Sequence, residues 1–227
     1  MKIANIITSL TDYPNHVCTT IFTIDCNLRC SFCFNPSLFI ENNPSNISTE
    51  SALAELDIRR GYTSFVCVTG GEPTLQPGLY RFLRQLFNKG FKIKLDTNGT
   101  NPHVLQRCSE LLSYVAMDLK TDPKKYSQFL PKFSSLDPRI LASSISRSIK
   151  LINNLTIPCE FRTTVLENLT LCDYEEMAKA VRNCKRYVIK PLVSHTYSKK
   201  ALSLVSEFER LLAVYGCKEI VNLFYIG

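Results

Sequence analysis

The 227-residue sequence predicts an α/β fold built as a partial (βα)6 TIM-like barrel, with parallel strands and helices outside. Short β-branched or aromatic runs alternate with amphipathic helical patterns from near the start to the end, and that alternation marks parallel βα units. Six such units are too few for a closed eight-fold barrel and suit an open one. The length suits one sizeable core, so residues 1–227 are expected to form a single domain.

The first strand is expected at Val17 to Ile24 and delivers the chain into a loop at residues 25–35. Ser48 or Thr49 can cap a helix over roughly Glu50 to Arg60. The second strand, Ser64 to Thr69, runs into Gly70-Gly71-Glu72-Pro73. The next helix has Pro77 near its first turn, Leu79, Phe82, Leu83, Leu86 and Phe87 on one face, and Gly90 just past its end. Strand three, Phe91 to Asp96, leads to a turn at Thr97-Asn98-Gly99, and Asn101-Pro102 opens a helix through Leu112. Strand four, Tyr114 to Leu119, precedes a polar, Lys- and Ser-rich segment from Lys120 to Leu136.

Asp137-Pro138 then starts a helix whose Leu141, Ile145, Ile149 and Ile152 face the core. Strand five is Cys159 to Val165, followed by a helix marked by Tyr174, Met177, Ala178 and Val181. Strand six is Tyr187 to Leu192, and residues 199–227 supply a last helix to Tyr215 and a terminal strand within Lys218 to Tyr225. The cysteine loop, Gly70 to Glu72, Asp96 to Asn98, Asp118 to Lys120, Arg162 and the stretch after Lys190 all fall at C-terminal strand ends, where barrel chemistry sits.

Composition places the chain among soluble globular proteins, with 45% hydrophobic and 21% charged residues. Met1 to Leu10 has no charged-then-apolar signal pattern and no stretch approaches a membrane span, so a cytoplasmic location with reduced thiols is expected. The net charge of +7 permits an acidic protein partner or electron donor. Lys124-Lys125, Lys185-Arg186 and Lys199-Lys200 read as solvated surface, and a nucleic-acid partner is not expected. Seven cysteines, Cys18, Cys67, Cys108, Cys159, Cys172, Cys184 and Cys217, are scattered singly among apolar residues, where a thiol behaves as a small hydrophobe.

The other three cysteines are different. Cys26-Asn-Leu-Arg-Cys30-Ser-Phe-Cys33 places three thiols on one loop with three and then two residues between them. Structural zinc usually needs four closed ligands, and no His lies close behind Cys33. Three thiolates suit three corners of a four-iron cluster, leaving one iron to bind and reduce a small molecule.

With Phe32 before the third cysteine and Gly70-Gly71-Glu72-Pro73 downstream, the sequence resembles the radical S-adenosylmethionine (SAM) superfamily. Ser9 to Pro14, Gly70 to Gln76, Lys94 to Gly99, Ala116 to Lys120 and Glu160 to Val165 resemble, in order, motifs of the activating proteins of anaerobic ribonucleoside-triphosphate reductase. Pyruvate formate-lyase activases share several of them. The resemblance implies a 4Fe-4S cluster held by Cys26, Cys30 and Cys33, and SAM bound at the open iron. Reductive cleavage would give a 5'-deoxyadenosyl radical that takes a hydrogen atom from a glycine of the partner enzyme.

By the same resemblance Gly70, Gly71 and Glu72 bind SAM, the glycines letting backbone approach a ligand and Glu72 accepting from its amino group. Asp96, Thr97 and Asp118, with the Ala116 carbonyl, match positions that hold a monovalent cation beside the SAM carboxylate. Lys120 and Arg162 are placed to meet that carboxylate, and Asn35 to hydrogen-bond near the cluster. His195 falls near a His of pyruvate formate-lyase activases, though a plain surface His is the competing reading.

Three positions depart from the family pattern: Phe34 for a His, Asp25 for a Gly before the first cysteine, and Glu167-Asn168 for a Pro-Gly. The electron donor would be a flavodoxin or ferredoxin. The alternatives are a pyruvate formate-lyase-type activase, a radical SAM enzyme acting on a small molecule or modified nucleobase such as a deazapurine synthase, and a non-catalytic iron-sulfur or zinc module.

Overall fold

The computed structural model describes residues 1–39, 47–192 and 196–225; His195 lies outside the described residues. The chain forms two compact units, Met1–Thr97 with His103–Val115, and Asn98–Pro102 with Ala116–Gly227.

In the first unit, β1 (Ile3–Tyr13), β2 (His16–Thr23), β3 (Phe65–Gly70), β4 (Lys92–Thr97) and the start of β5 (Tyr114–Asp118) follow one another in sheet order. β2, β3 and β4 are parallel, and β1 is antiparallel to β2 across a turn in which Asn15 takes a positive φ. β1 was not expected. As an edge strand with one neighbour, it leaves Asn5, Thr8, Leu10 and Thr11 exposed, so its pattern does not read as a core strand.

Val66, Cys67 and Val68 on β3 are completely buried, as in a parallel strand covered on both faces. Ser48 caps α1 (Thr49–Arg59) by accepting from the Ser51 N–H. α2 (Leu79–Asn88) buries Leu79, Phe82, Leu83 and Leu86, but Phe87 is 50% exposed, contrary to expectation. It stands one residue round from Leu86 in the last turn, at the margin of the apolar stripe. The helix expected through Leu112 is α3 (Pro102–Cys108) followed by a 3-10 turn, Ser109–Leu111.

The second unit carries the rest of β5, then β6 (Cys159–Thr164), β7 (Tyr187–Lys190) and β8 (Ile220–Asn222), the last three parallel. α4 (Pro138–Asn154) has Asp137 as its N-cap, Pro138 in its first turn, and buries Leu141, Ile145, Ile149 and Ile152. A capping box between Thr170 and Asp173 starts α5 (Leu171–Ala180), and Ser198 caps α6 (Lys199–Val214).

The supposedly polar segment after β5 contains a 3-10 turn, Pro123–Phe129, whose Pro123, Tyr126 and Phe129 are buried and which packs on α4. Its two lysines are surface ion-pair partners: Lys124 reaches Glu176 at 3.3 Å and Lys125 reaches Asp173 at 2.6 Å.

Two cysteine expectations need correction. Cys172 is exposed, because the first turn of α5 faces outward there. Cys184 and Cys217 are neighbours, since the chain entering β8 lies along the chain leaving α5 and the Lys218 N–H donates to the Cys184 carbonyl at 3.0 Å. Their mutual hydrogen bond, with burial, pushes the Cys184 thiol up, and the same bond lowers Cys217.

No helix among the described residues is long and apolar enough to cross a membrane.

Ile145, completely buried, and Phe87, half-exposed, separate the two kinds of helix position. Ile145→Ala is expected to cost about 2 to 5 kcal/mol in urea unfolding, and Phe87→Ala about 1 kcal/mol or less.

Candidate active site

The first unit positions the cysteine loop from both ends. At its entrance Asp25 has φ +70°, a left-handed conformation that favours Gly and that Asp tolerates better than bulkier residues. This accounts for the Asp in place of the family's Gly. Its carboxylate accepts from Lys2 Nζ at 3.1 Å and its N–H donates to the Leu38 carbonyl at 3.1 Å. Gln76, buried, ties the same corner by donating to the Ile24 carbonyl at 2.6 Å and accepting from the Lys2 N–H at 2.8 Å. Leu28, 1% exposed, anchors the middle of the loop.

Cys26, Cys30 and Cys33 are all half-buried, and among the described residues, which include all ten cysteines, none is in a disulfide. The Leu28 N–H points at Cys26 Sγ and the Asn35 N–H at Cys33 Sγ, each at 3.4 Å. Amides directed at sulfur suit thiolate ligands, since such bonds stabilise negative sulfur and tune cluster potential. No three His, Cys, Asp or Glu side chains among the described residues converge on a single ion. Three thiols on a compact loop fit a cluster better than a closed zinc site. Asn35, expected to hydrogen-bond near the cluster, reaches the Cys33 sulfur through its backbone N–H. Phe32 is half-buried and Phe34 is 54% exposed.

The glycine loop does something different from what its composition suggested. Gly71 N–H donates to the Thr23 carbonyl and Glu72 N–H to the Asp25 carbonyl, both at 2.8 Å. A Cβ on Gly71 would stand 2.0 Å from the Asp25 oxygen, and one on Gly70, whose φ is +110°, 2.4 Å from the Thr23 nitrogen. The close approach these glycines permit is therefore to the main chain at the root of the cysteine loop.

Glu72 is completely buried. Its Oε1 accepts from the Thr74 N–H at 3.1 Å, the Thr74 hydroxyl at 2.5 Å and the Thr97 hydroxyl at 2.8 Å, capping the 3-10 turn Pro73–Leu75. Thr97, expected to face a cation, thus gives its hydroxyl to Glu72.

Asp96 and Lys94 stand two apart on β4, on the same face. Lys94, 1% exposed, donates to Asp96 Oδ1 at 2.5 Å, and the Thr69 hydroxyl donates to Asp96 Oδ2 at 3.2 Å. A buried ammonium needs such a partner. A strand lysine ordinarily faces solvent, so the Lys94 to Gly99 motif does not announce this burial.

In the second unit, Asp118, Lys120 and Arg162 come together. Arg162 Nε donates to Asp118 Oδ1 at 2.8 Å, and Lys120 Nζ lies 3.5 Å from Asp118 Oδ2. Arg162 also approaches Glu160 at 4.0 Å, while Glu160 is held by Arg186 at 3.2 Å. Burial alone would raise the Asp118 carboxyl; the charges of Arg162, Lys120 and Lys190 and the Arg162 hydrogen bond override it and hold Asp118 well below the usual carboxylate range. The carboxylate is closely hemmed in, yet 42% of its side-chain surface stays accessible. Three cations around one carboxylate leave a local positive surplus suited to an anionic group. Glu167, at the Pro-Gly departure, accepts from the Ser198 N–H at 3.0 Å and hydroxyl at 3.1 Å and so reinforces the start of α6.

The chain belongs to the radical SAM superfamily, whose pattern matches residues 20–181. It is 31% identical over 186 residues to a Methanocaldococcus jannaschii protein provisionally named a glycyl-radical enzyme activating enzyme, covering 80% of this chain and 75% of that one. It is 39% identical over 111 residues to the 7-carboxy-7-deazaguanine synthase of Methanospirillum hungatei, covering 45% and 44%. It superimposes on QueE from Escherichia coli with a TM-score of 0.59 at 17% identity, covering 96% of this chain and 92% of that one, which shows the fold to be the partial barrel expected. It also superimposes on the larger Streptococcus suis SuiB with a TM-score of 0.61 at 15% identity, covering 88% of this chain and 45% of that one. The superfamily uses a 4Fe-4S cluster and SAM.

Asp118 gives a pH prediction. Its folded-state pKa lies below the unfolded one, so its ionised form stabilises the fold fully above about pH 4 and less as pH falls through the folded value. The urea midpoint of the native protein should therefore fall more steeply below about pH 4 than that of Asp118→Asn. Equal acid slopes would contradict the pairing.

Proposed function

We propose that this chain is a radical SAM activase that installs a glycyl radical in anaerobic ribonucleoside-triphosphate reductase. When bound, a 4Fe-4S cluster would supply the electron for reductive cleavage of SAM, the chemistry needed to take a hydrogen atom from a glycine of the partner. Cys26, Cys30 and Cys33 are the cluster ligands, with the Leu28 and Asn35 amides stabilising two of the sulfurs.

Lys120 and Arg162, joined by Lys190, receive the SAM carboxylate, and Asp118 orients Arg162 through the 2.8 Å bond. Gly70, Gly71 and Glu72 serve SAM by holding the cysteine loop in register, Glu72 acting through Thr74 and Thr97 as a positioning residue. Phe32 packs beside the cofactor. A monovalent cation at Asp96, Thr97 and Asp118 would compete with cations already in place, since Asp96 is paired with Lys94 and Asp118 with Arg162. A flavodoxin or ferredoxin supplies the electron.

The observation that supports this reading against a small-molecule enzyme is the 31% identity, over 80% of this chain and 75% of that one, to the relative named as a glycyl-radical enzyme activating enzyme. The second reading, a deazapurine synthase, is favoured by the 39% identity to 7-carboxy-7-deazaguanine synthase over 111 residues.

Anaerobic incubation with SAM, a reductant and the reductase should give a glycyl-radical EPR doublet on the reductase. SAM cleavage without that signal, together with formation of a deazaguanine product, would establish the second reading instead.

A further inference from the structure

The strand end carrying Asp118 and Lys120 is held through four of its backbone groups. The Tyr126 hydroxyl, on a completely buried side chain, accepts from the Lys120 N–H at 2.9 Å and donates to the Asp118 carbonyl at 3.1 Å. Only a group that both accepts and donates can close this bridge, and a hydroxyl does both. Between the two, the Leu119 N–H donates to the Arg162 carbonyl at 2.8 Å, and the Leu119 carbonyl accepts from the Thr163 hydroxyl at 2.6 Å. The Thr163 oxygen is in turn 2.5 Å from the Tyr187 hydroxyl.

The Tyr126 ring is itself fixed edge-on against Phe129, with centroids 5.9 Å apart. The buried part of the 3-10 turn therefore ends in a clamp on the peptide that bears Asp118 and Lys120.

We propose that Tyr126 is a positioning residue for recognition of the SAM carboxylate: by bridging the Asp118 carbonyl and the Lys120 amide it sets where the Lys120 ammonium stands beside Arg162. This rests on the assignment of Lys120 and Arg162 to that carboxylate. A fixed strand end is needed because Lys is a point charge on a flexible stem, and its direction is otherwise set only by where its backbone sits. Loss of the hydroxyl removes the bridge between the part-buried Lys120 N–H and Asp118 carbonyl, and the tripeptide relaxes away from the geometry that aims the Lys120 ammonium at the same group as Arg162.

The test compares SAM with decarboxylated SAM, which keeps the adenosine, sulfonium and amine but lacks the carboxylate. Binding of each to the anaerobically reconstituted protein is measured by equilibrium dialysis. Tyr126→Phe is expected to weaken SAM binding about tenfold while leaving decarboxylated SAM unchanged. Tyr174→Phe, at another buried tyrosine of the same unit, should alter neither.

Equal weakening of both ligands, or of neither, by Tyr126→Phe overturns the proposal. If that variant does not fold, Thr163→Val, which releases the Leu119 carbonyl, makes the same comparison with the same two outcomes. A native protein that binds the two ligands equally well overturns the Lys120 and Arg162 assignment itself, and the inference with it. Failure of the underlying reading thus shows in the unmutated protein, and failure of the Tyr126 role only in the variants.

Discussion

A seam of main chain against main chain governs the first unit. The end of β2 and the root of the cysteine loop lie so close to Gly70 and Gly71 that no side-chain carbon fits between them. Two hydrogen bonds, Gly71 to Thr23 and Glu72 to Asp25, lock the strands' ends in register. The positive φ of Asp25 turns the chain out of β2 at that point, and Cys26 follows immediately. The thiols depend on this seam for their placement, since their loop has little regular structure of its own.

Buried charge is arranged differently in the two units. In the first, Lys94 and Asp96 pair on one strand face with almost no exposure, and Glu72 accepts from three uncharged donors. Such groups are costly to bury unless fully satisfied, and here they serve geometry. In the second, Asp118 is outnumbered by Arg162, Lys120 and Lys190 and keeps accessible surface. That excess charge is what a ligand anion can use.

The periodic parts of the fold were legible because the core-facing residues obey it. Leu141, Ile145, Ile149 and Ile152 mark α4, and Ser48, Asp137 and Thr170 announce helix starts by their capping chemistry. β1 was missed because an edge strand needs only one apolar face. Among the candidate residues, the local grouping of Asp118, Lys120 and Arg162 followed from the end positions of β5 and β6. Glu72 as a buried cap, Lys94 as a buried cation and Tyr126 in a Lys-rich stretch were not legible. Glu72 depends on a partner distant in the chain, Thr97 at 2.8 Å, Tyr126 on a turn that composition disguises, and Lys94 on the burial of the whole of β4 beyond its first residue.

The central claim is that three thiols hold a cluster with one iron left for SAM. Mössbauer spectra of protein reconstituted anaerobically with iron-57 and sulfide test it most directly, taken before and after SAM is added. The account predicts that one iron in four changes its isomer shift while the other three do not. Four irons that respond alike, or a reconstituted protein with no four-iron centre, would contradict it.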